Sequence, residues 1–130
     1  MLLVRFVKQS LSAETYLKLC EQLGQEPDPE KMPLEASDFP EEVQVAFFMS
    51  SLLPDLYDTN AGVYLGKDWS SAAAILDIYE VQDKKTTVYL MKLYELVKID
   101  HSVEKFNVEQ EKSKRKAKSG DKKFTYNVSG

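Results

Sequence analysis

The chain holds one cysteine, Cys20, one histidine, His101, and one tryptophan, Trp69, among 130 residues. A lone cysteine closes no internal disulfide, so no covalent staple substitutes for a hydrophobic core. One cysteine and one histidine also fall short of the four ligands that a structural zinc site needs within one chain. No apolar run approaches the roughly 20 residues of a membrane-spanning helix. The opening Met1-Leu2-Leu3-Val4-Arg5-Phe6-Val7-Lys8 is too short, and too soon charged, for a signal peptide. These shortfalls set the expectation of a cytoplasmic protein with no membrane partner.

What the chain has in quantity is apolar and charged surface, 43% hydrophobic and 29% charged. At this length that mixture supports one core. The net charge of −4 conceals an asymmetry. Lys112, Lys114, Arg115, Lys116, Lys118, Lys122 and Lys123 face only Asp121 in their window, which is therefore +6 and leaves −10 for the remainder. The reading is a helical domain over residues 1–110 and a basic C-terminal extension over residues 111–130.

The fold class expected is mainly α, about four helices in one compact domain, with candidate short strands near the two termini. Residues 2–7 form a short apolar run read as a strand. Ser12 caps a helix over 13–23, where Tyr16, Leu19, Cys20 and Leu23 recur at helical spacing before Gly24. Pro27, Pro29 and Pro33 mark an extended connection. Asp38, Pro40 and Glu41 signal a helix start, and Val43 to Leu53 make the helix over 39–53 the central core element. Residues 54–67 form a loop whose Leu56, Tyr57, Val63, Tyr64 and Leu65 should pack down. Asp68 caps a helix over 69–81, and Asp83 caps a longer one from 84 onward. Phe124, Tyr126 and Val128 alternate with polar residues at strand period.

Several motifs approach known chemistry and stop short. Gly62-Val63-Tyr64-Leu65-Gly66-Lys67-Asp68 has the glycines and lysine of a phosphate loop, but only three residues separate the glycines and Asp68 replaces the hydroxyl residue. A structural turn is the better reading. Asp55, Asp58, Asn60 and Gly62 suggest a calcium loop, yet the glycine comes early and Trp69 occupies the closing acidic position. Cys20 lies on an apolar stripe, where a thiol is ordinarily inert packing. Asp77 and Glu80 are the carboxylates least explained by capping, and solvated charge accounts for them.

Leu53-Pro54-Asp55, the Gly62 to Ser70 segment, and Asp77-Ile78-Tyr79-Glu80-Val81 with Asp83-Lys84-Lys85 carry a likeness across about half the chain. There the sequence resembles small uncharacterised proteins of tailed, T4-like marine bacteriophages. The resemblance implies a viral context, hence the host cytoplasm, and brings no activity, cofactor or site residue with it.

With no complete catalytic or metal set, the expectation is a non-enzymatic protein-interaction module without a cofactor, a phage accessory or assembly factor in the context the resemblance implies. Its candidate interaction residues are Tyr57, Tyr64, Lys67 and Trp69, and a homo-oligomer fits the same reading. The alternative is nucleic-acid binding through Lys112, Lys114, Arg115, Lys116, Lys118, Lys122, Lys123, Phe124 and Tyr126, by phosphate neutralisation and base stacking.

Overall fold

Five helices and a two-stranded antiparallel sheet make up the computed structural model, which describes residues 2–129, with side chains to residue 118. The chain opens on a helix, α1 (Leu2–Lys8), where a strand was expected. Alternation would put Leu3 and Phe6 on opposite faces, whereas a helical turn puts them on one. Leu3 is buried, and Phe6 stacks on Phe47 at 5.2 Å and meets Phe39 edge-on at 5.2 Å.

The second helix, α2 (Ala13–Leu23), forms as its caps dictate. The Ser12 hydroxyl accepts from the Thr15 N–H, and Gly24 ends the helix at φ 67°. Its single cysteine is buried. The proline-rich connection that follows is tied down by side chains. Gln9 donates to the Leu34 carbonyl at 2.7 Å and accepts from the Leu34 N–H at 2.8 Å, and the Tyr16 hydroxyl accepts from the Asp28 N–H.

Asp38 does not cap the central helix. It closes a short 3-10 turn, Ala36–Asp38, by accepting from the Glu35 N–H, and α3 (Glu41–Ser51) starts instead from Pro40. Proline has no N–H to satisfy and its ring presets φ, so the start needs no side-chain cap. Glu41 and Glu42 occupy the first turn, where carboxylates suit the helix dipole.

Residues 54–67 contain a hairpin, β1 (Asp55–Tyr57) and β2 (Tyr64–Lys67), where a loop was expected. Its strands are too short for alternation to register in the sequence. Asp68 accepts from the Ser70 N–H in a local turn, so the following helix, α4 (Ala72–Ile78), is shorter than the expected 69–81. Only Leu76 of α4 is buried, and Ala73 and Ala74 face outward.

The last helix, α5 (Lys84–Ser129), begins at Asp83, whose carboxylate accepts from the Thr86 N–H. It continues through the basic window, so the expected strand at 123–128 is helical backbone. Residues 2–7, the other expected strand, are themselves a helix, and an unpaired strand leaves its backbone groups unbonded, which a helix does not.

The core lies where α3 crosses α5. Ala46, Met49, Leu53, Leu76 and Met91 form one buried cluster, with Val45, Trp69 and Val88 packed around it. A second seam runs through rings, Phe39 on Phe47 at 5.1 Å and Phe47 on Tyr94 at 4.8 Å. Met91→Ala is expected to lower stability by about 2–5 kcal/mol, read from the midpoint of urea denaturation, because its site is fully enclosed.

Candidate functional site

The hairpin turn is built by Asp58. Its carboxylate accepts from Asn60 and Ala61 N–H groups, its carbonyl accepts from Gly62 at 2.7 Å, and Gly62 takes φ 70°. Of the oxygens that suggested a calcium loop, those of Asp58 thus serve the backbone, and the Asp55 carboxylate pairs with Lys67.

Glu95, from the first third of α5, fixes the returning strand. One carboxylate oxygen accepts from the Lys67 N–H at 2.8 Å and from the Trp69 indole N–H at 2.7 Å. Gly66 makes this approach feasible. It sits at φ 121°, and a Cβ there would lie 3.0 Å from the Glu95 oxygen. The turn that resembles a phosphate loop therefore does bind an anion, and the anion belongs to the chain itself. Lys92 lies over the Trp69 ring at 4.4 Å and completes the contact.

Below the hairpin sits a charged cluster. The Lys67 ammonium, with 7% of its side chain exposed, pairs with Asp55 at 2.7 Å and donates to the Leu53 carbonyl at 3.3 Å. Lys98 lies over the rings of Tyr64 and Tyr94. Tyr64 is buried, and its hydroxyl has no hydrogen-bond partner among the described residues, although its N–H donates to Ser102.

Burial works to raise the Asp55 proton affinity, but the hydrogen bond and charge of Lys67, with the charge of Lys98, hold it below the ordinary range. Burial pushes the Tyr64 phenol well up, and the Asp55 carboxylate adds to the effect. Burial, then the charge of Lys67, lowers Lys98.

A second feature adjoins the core at Val45 and Met49. Between α3, the α4–α5 turn and the start of α5 runs an open groove of about 670 Å³. Val45, Phe48, Met49, Tyr79 and Val81 give it an apolar lining. Phe48 and Tyr79 meet edge-on at 5.4 Å, and each leaves about half its surface exposed. Glu41, Glu42, Glu80 and Asp83 stand around it, and none of its lining residues is basic. Glu80 takes φ 52°, the left-handed conformation that ends α4, with the Val81 N–H on the Leu76 carbonyl and the Glu80 N–H on the Asp77 carbonyl. Glycine is the usual occupant of that position.

Of the four residues expected to form an interaction surface, Tyr64 is buried, and Lys67 and Trp69 are engaged with Asp55 and Glu95; Tyr57 is exposed. Lys112, Lys114, Arg115, Lys116 and Lys118 are exposed along α5. The side chains of Lys122, Lys123, Phe124 and Tyr126 lie outside the described residues. Reading by sequence missed the groove, because Phe48 and Tyr79 stand thirty-one residues apart. The sequence carried no signal for it, because Glu80 falls inside the helix expected over 69–81 and its left-handed conformation shows only in the structure. No protein-family model matches the chain, and comparison with curated proteins and with solved structures gives no match either.

Glu95→Ala leaves two donors without an acceptor and is expected to cost about 1–3 kcal/mol, with a red shift of the single-tryptophan emission as Trp69 loosens. The charged cluster also sets a pH dependence. Asp55 has a lowered proton affinity in the fold, so its stabilisation is complete above the ordinary value of 3.8 and is lost as the pH falls through its lower folded value. Tyr64 has a raised one, so its share is present below the ordinary 10.0 and lost as the pH rises beyond it. Asp55→Asn should flatten the acid limb of a denaturation-versus-pH profile, and Tyr64→Phe the alkaline limb. Unchanged limbs would contradict these assignments.

Proposed function

We propose that the protein is a non-enzymatic interaction module, an accessory or assembly factor in the phage context its sequence resembles, that grips a basic, partly apolar segment of a protein partner in the groove beside α3. The observation that carries this reading is the composition of the groove. Half-exposed aromatic rings offer apolar anchorage, and four carboxylates with no basic neighbour among the lining residues select a cationic occupant. Its apolar lining suits helix-in-groove recognition, in which residues one turn apart seat in an apolar cleft.

Glu80 supports the same reading. A left-handed non-glycine residue costs on the order of 1–2 kcal/mol, and such strain concentrates where a side chain is needed. The side chain retained there is a carboxylate at the groove rim.

The exposed Lys112, Lys114, Arg115, Lys116 and Lys118 favour a second reading, nucleic-acid binding through the end of α5. They are distributed around the helix instead of along one stripe, which suits loose phosphate contact. A truncation after Gln110 that left DNA and RNA affinity unchanged would exclude it.

The primary test is fluorescence anisotropy of a labelled helical peptide composed of leucine and lysine. Binding on the order of 10 μM is expected, weakening with salt. Phe48→Asp should abolish it, and a monomeric protein that ignores the peptide would overturn the proposal. Glu80→Gly should raise stability by about 1 kcal/mol and weaken peptide binding, since it relieves strain and removes a carboxylate. A rise in stability with unchanged binding would remove Glu80 from the site.

A further inference from the structure

Tyr89, Leu96 and Val103 leave 66%, 56% and 41% of their surfaces exposed along α5. Their seven-residue spacing drifts by only about 20° per step, so they form a single stripe. One apolar position per heptad supplies half of the seam by which two helices pair. Lys114 follows Val103 by eleven residues, close to three turns, and Lys118 by one turn more, so the stripe runs into the basic end. Toward the start of α5 it meets Gln82 and Thr86, which line the groove.

We infer that the stripe pairs antiparallel with the same stripe of a second copy, seating Arg115 and Lys118 of each chain on the acidic groove of the other. The inference rests on the groove reading above and names the segment that fills it. Setting Leu96 against the second copy's valine at position 103, and the reverse by symmetry, places the two-fold axis between residues 99 and 100. Arg115 and Lys118 then lie opposite residues 84 and 81, between about 23 and 28 Å from the axis. Thirty-two residues, nearly nine whole turns, separate Asp83 from Arg115 and Thr86 from Lys118, so all four share one side of α5. A two-fold turns that side of both helices in the same direction, and each basic pair comes to the other chain's rim.

The chain cannot fill its own groove in this way, because Lys118 stands about 48 Å along the same helix from Thr86. The contact is self-complementary and closed, the commonest form of homodimer. Lys84 and Lys85 oppose Arg115 and Lys114 in this register, like-charge contacts that weaken the pairing and leave it dependent on the carboxylates of the groove.

Sedimentation equilibrium of the full chain should give twice the chain mass at micromolar concentration and dissociation in high salt. Leu96→Asp, at an exposed position, should be monomeric with an unchanged circular dichroism spectrum. Arg115→Glu with Lys118→Glu, and separately Glu41→Lys with Glu80→Lys, should each raise the dissociation constant by about tenfold or more. Mixing these two charge-reversed proteins should restore the dimer, because each groove then meets a tail of opposite sign. A monomeric wild type, or a mixture that fails to reassociate, overturns the inference. The leucine–lysine peptide assay, run on the Leu96→Asp monomer, separates the two levels: binding there with a monomeric wild type removes only the self-pairing, and absence of binding removes the groove reading itself.

Discussion

Enclosure of Met49 and Met91 in the seam between α3 and α5 is the contact on which the remaining structure depends. These are the largest side chains wholly removed from water, and Ala46 beside them lets the two helices approach closely. With the seam set, the hairpin and α1 attach to α5, and the 3-10 turn to α3. The hairpin is bound to α5 through Glu95 and α1 through the Lys8 to Glu104 ion pair, while Phe6 packs on Phe47 of α3 and Leu76 of α4 joins the buried cluster. A fold hung on one side of one helix leaves the opposite side of that helix without a partner. The apolar stripe on α5 and the groove at its start both follow from that one-sidedness.

The Glu95 contact shows how a motif can be half right. Glycine with a positive φ, a backbone N–H and a following lysine are the parts of an anion cradle, and the chain assembles them around an oxygen anion. What decides against an external phosphate is that the cradle is filled by a side chain twenty-eight residues further on. The Lys67 ammonium, which a phosphate would require, turns away to Asp55 and the Leu53 carbonyl. Structural use of the motif explains why it departs from the phosphate-loop spacing: a single carboxylate needs fewer backbone donors than a phosphate chain.

The helices were legible wherever local chemistry alone sets them. Ser12 with Gly24 bounded α2, and Asp83 started α5, because caps act within one turn. Elements whose identity depends on distant partners were not. Residues 2–7 are equally apolar as strand or helix, and only the rings of Phe39 and Phe47 decide between them. The hairpin at 55–67 depends on Glu95, and residues 123–128 alternate at strand period with no strand available to pair. Likewise the residues singled out from the loop were recognisable as unusual, but unusual composition marked anchorage, with Tyr64, Lys67 and Trp69 turned onto α5. Adjacency in the fold, not composition, produces the groove.

Stability alone does not account for that groove. Four carboxylates around one opening repel each other, two aromatic rings lie half in water, and a non-glycine residue holds a left-handed backbone at the rim. Each feature is unfavourable in the isolated chain, and all three occur within one patch, while the caps of α2 and the start of α5 follow the favoured residue types. A cationic, partly apolar occupant relieves two of them together, screening the carboxylates and covering the rings, and the acidic residue at position 80 is what the strained backbone retains in exchange. The basic residues that would provide such relief are present in the same chain, about 48 Å away along a rigid helix. Separation of the two complementary surfaces by the length of α5 is the feature that turns an internal charge asymmetry into an intermolecular one.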